Sequence, residues 1–303
     1  MRVARVLAQA KINLFLKIDG RNHFGYHDLW TVFQRIDLAD EIVVRVGGKE
    51  RSLDASGPRM PPAGLGPPKK NLAYRAAIEY SAHTGWEFPK GFAIEITKNI
   101  PVGGGLGGGS ADAGAVLRAL DALAPKPMDP DELRQVAASL GADVPFLTSE
   151  HVRAMSIGRG DIISPLADLV PVPPAEVHLV VPPFAIATAD AYRWLDEDRP
   201  MPWPPEPTGG RKIVELQAAS SWWAGLCREG NDFEPVVEKR YPQLREIRER
   251  LQELGAIAHL SGSGSTVFGI YEGPAPDPRD LGADALVIPT RTSSRVVQVE
   301  VLE

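Results

Sequence analysis

The chain has 303 residues, 44% hydrophobic and 24% charged, which is long and apolar enough for two moderate domains, each with its own core. Its net charge of −6 argues against generic nucleic-acid binding, which calls for a basic face. The single cysteine, Cys227, excludes an internal disulfide and a cysteine-based zinc cluster and points to a reducing compartment.

Arg2 and Arg5 are followed by Gln9, Lys11 and Asn13 rather than by an apolar leader, and no run approaches the roughly 20 apolar residues of a membrane span. A cytoplasmic chain with no membrane partner is expected. Residues 11–18, KINLFLKI, alternate as a strand, with Ile12, Leu14, Leu16 and Ile18 facing one way and Lys11, Asn13, Phe15 and Lys17 the other. A glycine-containing turn follows. TVFQRIDL and EIVVRV then read as two further strands.

Residues 47–70 are rich in Pro and Gly and read as a long surface loop. A helix is expected from Asn71 to its stop at Gly85, and FAIEIT reads as a strand. Ala113, Val116, Leu117, Leu120 and Leu123 recur at helical spacing. The next helix has an N-cap at Asp129, Pro130 in its first turn, Glu132 completing a capping box, and Gly141 at its end. A second proline-rich loop spans residues 199–211. Leu244, Ile247, Leu251 and Leu254 form one helical stripe ending at Gly255, and AIAHLSGSGSTVFGIY reads as strand, tight turn, strand. A composition break near residues 158–173 marks the expected boundary between domains 1–160 and 161–303.

Between FAIEIT and the next helix, residues 103–109 hold six glycines interrupted only by Leu106. Ordering such a segment costs on the order of 10 kcal/mol. The flanking strand and amphipathic helix argue against a flexible linker. A lysine-ended P-loop is excluded because Gly109-Ser110-Ala111 supplies no lysine. A dinucleotide turn is disfavoured because a second helix follows where that fold needs a strand. What remains is a loop cradling a triphosphate with backbone N–H groups at a helix start, near Ser110 and Asp112. Asp112 either caps that helix or meets Mg²⁺, and the sequence leaves both open.

PVGGGLGGGSADAG resembles the ATP-binding loop of the GHMP kinases, the superfamily of galactokinase, homoserine kinase and mevalonate kinase. AKINLFLKIDGRNHFGYHDLWTVFQRIDLADEI, LGADVPFL, NDFEPVV and LSGSGSTVFG resemble, in order over residues 10 to about 269, the diphosphocytidyl-methylerythritol kinases of non-mevalonate isoprenoid (terpenoid) biosynthesis. The resemblance implies a two-domain α+β GHMP kinase fold. Its N-terminal α/β domain carries the Gly-rich phosphate loop, and its C-terminal domain is ferredoxin-like. It also implies a cytoplasmic, ATP-dependent transferase that phosphorylates the 2-hydroxyl of a cytidine diphosphate-linked polyol with Mg²⁺. Such an enzyme would be a monomer or homodimer without a nucleic-acid partner. Two other readings are a GHMP kinase acting on another small alcohol, and a catalytically silent nucleotide-binding protein.

The residues fit this division of labour. A lysine in an apolar strand, Lys11, and an acid just past a helix end, Asp143, suit the acceptor site, the alternative being a buried structural ion pair. The resemblance makes Asp143 the catalytic aspartate and Lys11 the stabilising cation. Asn13 shares the face of Lys11. By resemblance Tyr26 and His27 hold the cytosine, with Thr188 as a polar contact and Tyr192 as the second stacking ring. At the ATP end the resemblance assigns Asn71, Lys98, Pro101, Gly103, Gly104, Gly105, Leu106, Gly107, Gly108, Gly109 and Ser110, while Lys98 otherwise reads as an ordinary strand-end charge. The turn at residues 261–265 faces the nucleotide loop by the same analogy. The chain departs from the family pattern at Ala111, where a second serine or an asparagine is usual, and at Phe24, where an aspartate commonly precedes Gly-Tyr-His.

Overall fold

The computed structural model describes residues 2–21, 25–86, 91–166, 172–199, 222–281 and 285–302. Phe24 and all but the first residue of the second proline-rich loop lie outside them. Two long strands, β1 (Arg2–Arg21) and β2 (His27–Val46), pair antiparallel along their whole length and form the spine of the molecule. β3 (Arg51–Ser56) and β4 (Phe92–Thr97) extend the sheet beyond β2, and β5 (Arg153–Gly158) and β6 (Ile162–Pro165) branch from β2. A second sheet is built from β7 (Glu176–Val181), β8 (Ile257–Leu260), β9 (Val267–Tyr271) and β10 (Leu286–Arg291). The last strand, β11 (Glu300–Leu302), returns to pair with β1.

The first sheet runs β11-β1-β2-β4-β3. It packs chiefly against α2 (Gly108–Leu123) and α4 (Val144–Thr148), on which α1 (Leu72–Thr84) and α3 (Pro130–Leu140) rest. Val116, Leu117, Leu120 and Leu123 of α2 are fully buried, each contributing about 1.5–3 kcal/mol of apolar burial. Gly114 lets α4 come close: a Cβ there would sit 2.7 Å from the backbone of Leu147. The second sheet is antiparallel in the order β10-β7-β9-β8, which in chain order is the 4-1-3-2 arrangement of a ferredoxin-like domain. It is accompanied by α5 (Thr188–Asp198), α6 (Trp222–Cys227), α7 (Glu234–Arg240) and α8 (Pro242–Glu253).

β1 serves both cores. Ile12, Leu14 and Phe15 lie in the core of the first sheet, whereas Leu16 and Ile18 lie in that of the second. The unbroken alternation expected over residues 11–18 therefore fails. A register shift between Asn13 and Phe15 inserts Leu14 as an extra residue, and the facing changes there. The two strands expected over residues 31–46 are one strand. The polar break at Asp40 does not turn the chain, because its carboxylate accepts from the backbone N–H groups of Asn99 (2.5 Å) and Ile100 (2.8 Å). The expected surface loop at residues 47–70 holds β3, an edge strand parallel to β4 whose half-exposed polar composition hides its pairing. Asp129 caps α3, accepting from Asp131 N at 2.9 Å rather than from residue 132.

Candidate active site

Both halves of the fold line one cleft of about 810 Å³. Its floor is the glycine loop. Gly107, at φ +71, caps α2, and Ala111 N makes the first intrahelical bond, to Gly107 O at 2.8 Å. The N–H groups of Gly108, Gly109 and Ser110 precede that bond, so the partial positive end of α2 opens where a Cβ on Gly109 would meet only Leu72, at 4.0 Å. At Gly105 the requirement for glycine is absolute: φ is +77, and a Cβ would lie 2.1 Å from Ser261 O. The loop is thereby pressed against the turn at residues 261–265. Ser261 Oγ donates to Gly105 O at 2.9 Å and Thr266 N to Gly104 O at 3.2 Å.

Lys11 stands at the junction of loop and strand. Its Nζ donates to Asn13 Oδ1 at 2.7 Å and to Gly105 O at 3.0 Å, and lies 3.4 Å from Asp143 Oδ2. Lys11 is 3% exposed, while the Asp143 side chain keeps 30% of its surface open to the cleft. Asn13 is oriented from behind: its Nδ2 donates to Thr31 Oγ1 at 2.9 Å, and that hydroxyl donates to Phe15 O. Asp143 precedes α4, whose far end is held by buried Arg35, donating to Phe146 O (2.8 Å), Ser149 O (2.9 Å) and His151 O (3.0 Å). Burial, and then the charge of Arg118, pull the Arg35 pKa down.

At the other end of the cleft the structure brings Tyr26, His27, Thr188 and Tyr192 together. Tyr26 is 57% exposed, with the Arg159 guanidinium 5.5 Å from its ring centroid. The His27 and Tyr192 rings stack directly, 4.5 Å apart and 21° from parallel. Thr188 Oγ1 shares a hydrogen bond with Ser263 Oγ at 3.0 Å. Burial, followed by the charge of Asp143, pushes the Tyr192 pKa up to about 12.

Asn71, Pro101, residues 103–110 and Lys98 all line the cleft. Asn71 caps α1, its Oδ1 accepting from Ala73 N at 2.9 Å. Lys98 is not an ordinary strand-end charge. It is buried against Asp40 and lies 2.8 Å from Asp112 Oδ2. Burial opposes its charge, yet the two carboxylates outweigh burial and hold its pKa above the ordinary value. With Gly107 at the N-cap, Asp112 sits inside α2 and does not cap it. Its Oδ1 is buried with no hydrogen-bond partner.

Sequence reasoning singled out neither Asp40 nor Arg35, and nothing in their local pattern distinguishes them from surface charges. Asn231 it quoted only within a motif. Asn231 Nδ2 donates to Leu260 O (2.7 Å) and Gly262 O (2.8 Å), which fixes the turn against the glycine loop. Asp196 it missed, although Thr188, Tyr192 and Asp196 recur every fourth residue on one helix face.

Comparison with known proteins adds to this geometry. The family model for the GHMP kinases N terminal domain matches residues 71–151, and that for GHMP kinases C terminal matches residues 216–283. A protein of Pelotomaculum thermopropionicum named 4-diphosphocytidyl-2-C-methyl-D-erythritol kinase is 39% identical over 272 residues, 88% of this chain and 89% of that protein. A protein of the same name from Geobacillus kaustophilus is 38% identical over 270 residues, 88% of either chain. A crystal structure of a 4-(cytidine 5'-diphospho)-2C-methyl-D-erythritol kinase matches at TM-score 0.73 and 34% identity, over 96% of this chain and 100% of that one. A homoserine kinase from Cytophaga hutchinsonii, 18% identical, shares the fold at TM-score 0.69, over 99% of this chain and 97% of its own.

Proposed function

We infer the reaction from one premise: the chain belongs to the 4-diphosphocytidyl-2-C-methyl-D-erythritol kinases, within the GHMP kinases. It is an ATP-dependent small-molecule kinase whose substrate is a cytidine diphosphate-linked polyol. The transfer falls on the polyol's 2-hydroxyl, a step of isoprenoid precursor synthesis. The observation that carries the mechanism is the Lys11–Asp143 pair, 3.4 Å apart, with Lys11 also bonded to the glycine loop at Gly105.

The acceptor oxygen approaches Asp143 and Lys11, its new bond to the γ-phosphorus forming as the bond to the bridging β–γ oxygen breaks. The hydroxyl proton passes to an Asp143 carboxylate oxygen. Lys11 stabilises negative charge as it develops between acceptor and phosphoryl group, in a site where burial strengthens its effect. The N–H groups at the start of α2 and the Ser110 hydroxyl hold the donor phosphates. Asn13 orients the acceptor. Tyr26, His27, Thr188 and Tyr192 hold the cytidyl end, Tyr192 doing so as the ring on which His27 rests in this structure. Asn71 and Pro101 border the adenosine. Lys98 acts from beneath the loop, fixing Asp112 and Asp40.

Among the described residues no group of three or more His, Cys, Asp or Glu is placed to hold a metal by itself. That suits an Mg²⁺ carried mainly by the triphosphate, which keeps most of its oxygen ligands from phosphate and water. Asp112 fits as its protein contact, because Oδ1 is a buried acceptor with no partner at the cleft wall. When bound, Mg²⁺ neutralises phosphate charge. Residues 1–160 supply most of the ATP-binding domain and 161–303 most of the second, although β6 and β11 of the later stretch complete the first sheet. Among the described residues no helix is long and apolar enough to cross a membrane. We place the enzyme in the cytoplasm, acting as a monomer or homodimer without nucleic acid.

The test is ADP release with the cytidylated polyol against homoserine and mevalonate. Turnover confined to the cytidylated substrate is expected; turnover on another alcohol with none on this one overturns the assignment.

A further inference from the structure

We propose that Asp196 is a positioning residue for His27: it fixes which imidazole nitrogen carries the proton and which edge of the ring faces the cleft. The proposal rests on the reading that this end of the cleft takes the cytosine. Arg21 and His27 are cross-strand partners at the mouth of the β1–β2 hairpin. α5, from the other half of the molecule, closes against them with two side chains one turn apart. Tyr192 and Asp196, at positions i and i+4, share a face of that helix.

The two contacts restrain the imidazole in different ways. The Tyr192 ring, 4.5 Å away and nearly parallel, fixes its plane. Asp196 Oδ1, 2.8 Å from Nε2, fixes rotation within that plane. A carboxylate only accepts, so this contact places a proton on Nε2. A longer contact, from Arg21 Nε to Nε2 at 3.4 Å, asks for the opposite state. The carboxylate contact is shorter and charge-assisted, and it prevails. Arg21 Nη2 donates to Asp196 Oδ2, so the carboxylate is itself held. The His27 side chain is 10% exposed and Asp196 25%, which makes this pair more sheltered than the surface salt bridges of α5. A ring whose protonation and orientation are set before the substrate arrives loses less freedom on binding. The consequence is expected in substrate affinity, with the chemical step spared.

The experiment uses the full chain with ¹⁵N-labelled histidine and no ligand, at a pH where free imidazole is neutral. The nitrogen shifts then tell protonated from bare nitrogens, and among six histidines the His27 signals are those absent from His27→Ala. Wild type is expected to show His27 protonated at Nε2. Asp196→Ala is expected to lose that single state and to raise KM for the cytidylated substrate about 10-fold, the effect of one charge-assisted hydrogen bond, with a much smaller change in KM for ATP. Asp196→Asn keeps an acceptor oxygen and the side-chain shape, so it is expected to retain the nitrogen state and recover most of the KM loss. Unchanged His27 signals and KM in Asp196→Ala overturn the proposal. So does a raised KM in Asp196→Asn equal to that of Asp196→Ala. If His27→Ala raises KM while Asp196→Ala does not, the Asp196 role alone falls. If His27→Ala leaves KM unmoved, the cytosine reading falls and takes the Asp196 role with it.

Discussion

Replacing Lys11 by Met removes the charge at nearly constant shape and separates the catalytic from the structural reading of its pair with Asp143. At 3.4 Å the Coulomb attraction is about 5 kcal/mol for an effective dielectric near 20. The Asp143 side chain is 30% exposed, however, so water recovers most of that energy when the lysine leaves, and the net loss is nearer 1 kcal/mol. Asn13 Oδ1 loses its Lys11 donor, at a cost of about 1–3 kcal/mol, whereas Gly105 O keeps its bond from Ser261 Oγ. A stability loss of about 2–4 kcal/mol follows, read in thermal unfolding as a fall in Tm of about 3–6 °C. If Lys11 stabilises developing charge, kcat is expected to fall about 10²–10⁴-fold, a further 3–5 kcal/mol in the barrier. ADP release and circular dichroism at 25 °C, on the same samples, separate the two effects. A folded Lys11→Met protein with kcat within threefold of wild type would refute the catalytic role and leave only a buried ion pair.

Asp143→Asn is expected to lower kcat about 10²–10⁴-fold with little change in ATP affinity, measured by ADP release and nucleotide titration; near-native turnover would leave Asp143 an orienting partner. Gly105→Ala meets Ser261 O at 2.1 Å with φ at +77, so it is expected to cost at least 1–2 kcal/mol in thermal unfolding and to weaken ATP binding tenfold or more, and native affinity would remove the loop from the nucleotide site. Asp112→Asn is expected to narrow the difference in ATP affinity between solutions with Mg²⁺ and with chelator, as read by calorimetry; an unchanged difference excludes Asp112 as a metal contact. Cys227 is fully buried and burial raises its thiol pKa, so native protein is expected to resist a thiol reagent that labels the unfolded chain at once. Rapid labelling of the folded protein would contradict this packing.

The legible parts of the chain are those where one physical cause acts locally. α1, α2, α3 and α8 announce themselves by periodicity and by Asn71, Asp129, Gly85 and Gly141 at their ends. The glycine loop could be read as an anion cradle from its flanking strand and helix, whereas its close packing at Gly105 against Ser261 left no local signal. What could not be read are pairings over long separations. Asp40 looks like a turn residue until Asn99, Ile100 and Lys98 arrive from about sixty residues away. β3 looks like loop because an edge strand with one modest face has little pattern to show. Asp112 invited a capping role because it stands near a helix start, and only the structure shows Lys98 already bound to it. Asp196 was within reach, since extending the Thr188–Tyr192 interval by four residues finds it, but a charged residue on a surface helix has a strong ordinary explanation.

The strand that carries Lys11 also shows where simple alternation stops holding. β1 has register shifts between Gln9 and Lys11 and again between Asn13 and Phe15. Only the second, where β1 gains one residue against β2, exchanges the faces, because Ala4, Val6, Ala8, Ala10, Ile12 and Leu14 all lie in the first core. Between the two shifts lies a three-residue window in which Lys11 and Asn13 face the cleft and Ile12 the core. The facing inside that window continues that of the strand before it, where Val6 and Ala8 pack in the first core, and changes only beyond Asn13, where Leu16 and Ile18 pack in the second. A regular strand could satisfy one core or the other, but the bulge at Leu14 lets one strand serve both and still deliver a cation and an amide to the same point. The same window gives Lys11 N its bond to Leu106 O at 3.0 Å, so the backbone that aims the lysine also anchors the glycine loop. The glycine loop and Lys11 are thus positioned by a single stretch of chain. A change that straightens the bulge at Leu14 is therefore expected to disturb ATP binding and turnover together.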